Sequence, residues 1–175
     1  IPFYSESKSY SIELKVDISE VSRGVKVGLI YGFKDWSNYN FYLISQNAFY
    51  VGSVYQGITS MKMDGMYSYD IKVQGSNILK ILSENGKSVF SVNGAVQYKG
   101  ESPTLKGSNL GLVVGGKNKV KSDHIIFKEL NGGINSALGA VDDSFNASGS
   151  GFIFDSRGYV LTNHHVIQDA SQIVV

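Results

Sequence analysis

Apolar and polar residues alternate without a fault over residues 9–18. Tyr10, Ile12, Leu14, Val16 and Ile18 fall on one side, and Ser9, Ser11, Glu13, Lys15 and Asp17 on the other. Side chains of a strand point to opposite faces in turn, so this segment predicts a strand with one apolar and one wet face. On a helix the same residues would scatter around the circumference. Segments 25–33, 39–45 and 48–55 follow, rich in β-branched and aromatic residues. Further strands are predicted at 67–74, 77–84, 87–93, 109–115 and 123–130. Asn85-Gly86 and Asn93-Gly94 separate three such runs. Asn-Gly supplies the positive φ angles of a two-residue hairpin, so these runs form an antiparallel meander. Asp64-Gly65 and Asn131-Gly132 read as similar punctuation. No segment carries a helical period. The pattern predicts about ten short antiparallel strands whose apolar faces meet between two sheets, an all-β sandwich or jelly roll.

Composition divides the chain. Ten of the eleven tyrosines precede residue 100, Tyr159 alone follows it, and no lysine follows Lys128. The stretch 131–147 is small and polar and reads as a linker. The expected organisation is a β-domain over 1–130, the linker 131–147, and a separate segment 148–175. A chain that is 42% hydrophobic and 18% charged is not disordered over most of its length. Its net charge of +1 creates no broad field for nucleic acid. Lys117, Lys119 and Lys121 alternate along one segment and read as a blunted sheet edge or a solvated face. No apolar run approaches the length of a membrane span. Without cysteine there is no disulfide, thiolate metal site or cysteine nucleophile. No clustered Asp/Asn motif suggests calcium, and neither a metal nor a cofactor is expected. The sequon Asn146-Ala147-Ser148 reads as a chance occurrence.

Within 3–130, the succession Ile12-Glu13, Gly28-Leu29-Ile30, Asn38-Tyr39-Asn40-Phe41-Tyr42, Asn77-Ile78-Leu79, Phe90-Ser91-Val92-Asn93-Gly94 and Leu110-Gly111-Leu112 resembles the concanavalin/laminin-G-like jelly rolls. The resemblance implies a lectin-like domain, often attached to bacterial enzymes and cell-surface proteins, and an extracytoplasmic or cell-surface location. Sugar recognition needs a flat apolar face beside a few fixed polar groups. Trp36, Tyr39, Tyr55 and Tyr67 are candidates to stack on sugar rings, with Asn38 and Asp35 bonding hydroxyls. The alternative is that these aromatics fill the core or pair across strands. Trp36 is set apart because 34–38 reads as a loop between strands. A peptide or protein ligand is the other expectation for such a module.

The last segment carries a sharper pattern. Gly149-Ser150-Gly151-Phe152-Ile153-Phe154 reads as a strand, Asp155-Ser156-Arg157-Gly158 as a turn, and Tyr159-Val160-Leu161-Thr162 as the return strand leading to Asn163-His164-His165-Val166. This resembles the opening of a trypsin-like serine protease domain of the bacterial high-temperature-requirement type. The fold implied for 148–175 is the first strands of a trypsin-like β-barrel. The resemblance assigns His165 as the catalytic base of a parent endopeptidase with a polypeptide substrate, and leaves His164 at a variable position. A serine hydroxyl attacks only when an imidazole removes its proton, and that imidazole is oriented by a carboxylate. The family's aspartate and its Gly-x-Ser-Gly serine come after the histidine, and neither occurs before Val175. The expectation is a truncated protease fragment, inactive by itself. Its apolar residues, Phe152 and Leu161 among them, are expected to pack on the jelly roll, pair with another chain or be poorly ordered.

Overall fold

The computed structural model describes residues 9–18, 26–115 and 120–130, and the backbone of 151–153 and 160–162. Among the described residues twelve strands appear: β1 (Tyr10–Ile18), β2 (Val27–Asp35), β3 (Asn38–Ser45), β4 (Ala48–Tyr55), β5 (Ile58–Tyr67), β6 (Gly75–Glu84), β7 (Lys87–Val92), β8 (Ala95–Glu101), β9 (Asn109–Val114), β10 (Val120–Glu129), β11 (Gly151–Ile153) and β12 (Val160–Thr162). There is no helix among the described residues.

Ten strands form two antiparallel sheets. Sheet A runs β5-β4-β3-β2-β9, and sheet B runs β10-β1-β6-β7-β8. The alternation of β1 is realised in full: its five apolar residues are all buried. They meet Leu79, Ile81, Phe90 and Val92 of sheet B and Val27, Leu29, Tyr31, Tyr42, Ile44, Phe49, Val51 and Leu110 of sheet A in one core. Full burial of each such aliphatic side chain is worth about 1.5–3 kcal/mol. Two apolar faces closed on one another therefore make a jelly-roll β-sandwich.

The turns explain the order. Asn85 (φ 50) and Asn93 (φ 49) adopt the left-handed conformation ahead of Gly86 and Gly94, as the Asn-Gly pairs predict. Two further tight turns use Gln46 (φ 49) and Gln56 (φ 51), residues that carry no such signal. Three expectations are corrected. The predicted strand 67–74 is a strand only at its first residue, and β5 occupies 58–67 instead. Asp64-Gly65 does not end a strand. It lies inside β5, where the register against β4 shifts between Phe49 and Val51, and the extra residue is absorbed as a bulge. The predicted loop 34–38 shrinks to the turn Trp36-Ser37, because Lys34, Asp35 and Asn38 belong to β2 and β3.

In the last segment, β11 and β12 pair antiparallel with Gly151 opposite Thr162, the two arms of the predicted hairpin. The segment 131–147 expected to be a linker, the side chains of 148–175, His165, Lys117 and Lys119 lie outside the described residues. Lys121 sits on β10, an edge strand of sheet B.

Candidate functional site

The two outer faces of the sandwich differ in chemistry. On sheet B, Glu13, Lys15 and Lys80 alternate with the buried residues, and ion pairs cover the face. Lys15 Nζ lies 2.6 Å from Asp123. Glu13 holds His124 at 3.2 Å and Lys80 at 3.7 Å, and Lys87 pairs with Glu101. On sheet A the outward positions are mostly apolar or glycine. The cross-strand rows Gly111–Ile30–Phe41–Gly52–Met61 and Val113–Gly28–Leu43–Tyr50 follow from the register.

One end of that face carries an aromatic group. Phe33, Trp36, Tyr39 and Phe41 follow one another with ring centroids 5.2 Å apart for Phe33–Trp36, 6.1 Å for Trp36–Tyr39 and 6.3 Å for Tyr39–Phe41. Trp36 meets both Phe33 and Tyr39 edge-on, a favourable arrangement of ring quadrupoles. It nevertheless remains 71% exposed. Phe33 reaches this face because of a bulge. Simple alternation from the buried Tyr31 would turn it inward, but the register shifts between Tyr31 and Phe33, and one extra residue moves the side chain to the opposite face. Phe41 lies over Gly52, where an added Cβ would stand 2.5 Å from the ring.

The turn beneath Trp36 is held by polar bonds. Asp35 Oδ1 accepts from the Ser37 amide at 2.8 Å and from Asn38 Nδ2 at 2.9 Å. These bonds, the Asn38 amide first and the Ser37 backbone second, hold the Asp35 carboxyl below its usual range. Asn38 Oδ1 accepts from the Gln56 amide at 3.2 Å, and the Gly57 amide donates to the Ser37 carbonyl at 3.0 Å. The turns β2–β3 and β4–β5 are thus tied together, with the indole standing on a fixed base.

Of the residues expected at a ligand site, the structure brings together Trp36, Tyr39, Asn38 and Asp35. Asn38 is engaged in the turn at both ends of its amide. Tyr55 is not part of the group: it ends β4 with Lys106 Nζ 4.2 Å from its ring centroid. Tyr67 lies at the far end of β5. The contributions of Phe33 and Phe41 were not visible in the sequence pattern, where both read as ordinary strand residues. Among the described residues no group of three or more His, Cys, Asp or Glu side chains gathers as a metal site. No helix there is long and apolar enough to cross a membrane.

The fold has well-separated relatives among solved structures. A human galectin-16 variant superposes with a TM-score of 0.58 at 14% identity, covering 74% of this chain and 93% of its own. The carbohydrate-binding module CBM66 from Bacillus subtilis gives 0.57 at 12% identity, covering 69% and 75%. Sheep galectin-11 gives 0.56 at 10% identity, covering 73% and 97%. At these identities the likeness is one of fold, and it is the lectin-like sandwich. In sequence, the chain is 67% identical over 27 residues to serine endoprotease DegS of Escherichia coli K12 and of Salmonella typhimurium. That stretch is 15% of this chain, and the chain spans 8% of the length of those relatives. No protein-family profile matches.

Proposed function

We propose that the sandwich is a carbohydrate-binding module whose contact surface is the aromatic end of the outer face of sheet A. The observation that carries this reading is Trp36, a large ring left open to solvent on a turn stiffened by Asp35 and Asn38. Such a ring is a stacking surface that loses little freedom on binding. Tyr39 and Phe33 brace it. Thr59, two strands from Tyr39 on the same face by register, and the second carboxylate oxygen of Asp35 are the nearby polar groups for sugar hydroxyls. The likeness of the fold to galectins and to a carbohydrate-binding module supports the same reading. A glycan array followed by calorimetric titration tests it. Trp36→Ala is expected to keep the melting curve and weaken the best glycan at least about tenfold, or about 1.4 kcal/mol. Binding that survives Trp36→Ala unchanged would remove the site from this face. Binding to no glycan would leave a peptide or protein as the ligand.

A second reading is favoured by the 27-residue match to serine endoproteases. In it, 148–175 is the opening of a trypsin-like domain, His165 is its general base, and the sandwich is a targeting module for the endopeptidase. The His165 imidazole would have to be joined by an aspartate and a serine supplied elsewhere. A fluorophosphonate probe is expected to leave the 175-residue chain unlabelled. Labelling of this chain would overturn that assignment of the missing serine.

A further inference from the structure

The outer face of sheet A has a second aromatic end. Tyr67 pairs with Ala48 across β4 and β5, and Ala48 shares the outward side with Tyr50. Tyr67 is 60% exposed, and its neighbour Tyr69 is 89% exposed. The two rings meet edge-on at 4.7 Å, and Asn47 Nδ2 donates to the Tyr67 hydroxyl at 3.3 Å. Along β3, the positions level with the two ends are Tyr39 and Ser45, since Ser45 faces Ala48 and Ala48 faces Tyr67. At the rise of an antiparallel strand this separation is roughly 20 Å.

Between the ends the floor is low. Gly28 and Gly52 carry no side chain there, and Phe41, opposite Gly52, lies outside the core cluster yet is only 7% exposed. Tyr50 offers no open ring midway, because Lys26 Nζ sits 3.9 Å from its centroid. No described carboxylate pairs with a cation on this stretch, in contrast to the outer face of sheet B.

We propose that the ligand is an unbranched oligosaccharide lying lengthwise along β3 and β4, stacked on Trp36 at one end and on Tyr67 at the other. Two exposed rings separated by a floor of glycine and apolar side chains, with the Lys26 ammonium over Tyr50 as a hydroxyl-bonding cation midway, suit a chain several sugar rings long and one ring wide. A single terminal sugar would use one end only, and a flat protein partner would leave the floor uncovered. The inference rests on the carbohydrate reading above and adds the length and direction of the ligand.

The test is a calorimetric series of β-1,4-linked gluco-, xylo- and manno-oligosaccharides, each from disaccharide to hexasaccharide. Affinity is expected to rise with length until both ends are spanned and then to level off. Tyr67→Ala should weaken the longest binder about tenfold and leave the disaccharide unchanged, whereas Trp36→Ala should weaken both. Tyr67→Phe, which keeps the ring and loses only the bond from Asn47, should bind the long chain nearly as the parent does and serves as the folding control. Affinity independent of length, or a Tyr67→Ala protein that binds the longest chain normally, overturns the lengthwise arrangement while leaving the carbohydrate reading intact. Failure of the unaltered protein to bind any member, together with an empty glycan array, overturns both.

Discussion

At the scale of single residues, two polar features stand out, one inside the core and one on an exposed turn. The hydroxyls of Tyr31 and Tyr42 are buried with no hydrogen-bond partner among the described residues. Burial pushes both phenols above their usual range. A buried donor left unpaired costs free energy, and deleting it removes that cost. Tyr42→Phe is therefore expected to leave stability unchanged or raise it by about 1 kcal/mol, measured by urea unfolding. A loss of similar size would mean the hydroxyl is bonded. Asp35 behaves in the opposite sense. Its carboxyl is held below the usual range by the Asn38 and Ser37 donors, so the folded turn favours the ionised form. The stabilisation is fully present above the ordinary carboxylate pKa and disappears as pH falls through the depressed folded value. An NMR titration should place the Asp35 midpoint below that of a free aspartate, with the Ser37 amide following the same curve. Asn38→Ala should return the midpoint toward the ordinary value, and a midpoint already there in the parent protein would refute the turn as described.

At the scale of elements, the strands that were easy to read are the ones with one buried face. β1 is the clearest, because every second residue is apolar and buried in the core, while the intervening Glu13, Lys15 and Asp17 stay partly exposed. β5 was missed for the converse reason. It is an edge strand of sheet A, its residues are mostly exposed, and with little to bury it shows no alternation. Its Asp-Gly pair imitates a turn and is a bulge. The turns at Gln46 and Gln56 were invisible because glutamine rarely takes positive φ, and here the flanking strand pairing imposes it. Packing between β3, β4 and β5 is testable at Gly52. A Cβ there would stand 2.5 Å from Phe41 and 2.6 Å from the Ser60 carbonyl. Gly52→Ala is expected to destabilise by about 1–3 kcal/mol and lower the melting temperature. An unchanged melt would mean that Phe41 does not lie over β4.

For the whole molecule, the sequence by itself determined the class of fold and the location of one candidate contact. Alternation on β1 demands an opposing apolar face, and the Asn-Gly pairs demand antiparallel hairpins. Together they call for an all-β fold in which one face of each strand is buried, and the pairing into two five-stranded sheets makes it a sandwich. Trp36 stood apart in the sequence because it falls between two strands. Only the tertiary structure decided what surrounds it. Which rings share its face depends on register: one extra residue after Tyr31 moves Phe33 from the inside to the outside, and the distant Tyr67 joins the same surface through pairing with Ala48. The contrast between an ion-paired face and an aromatic one likewise arises from strands far apart in sequence being set side by side. Periodicity reports which residues leave water, a local consequence of strand geometry. Which of the remaining residues meet one another is settled by sheet order and bulges, and the candidate site is made of those meetings.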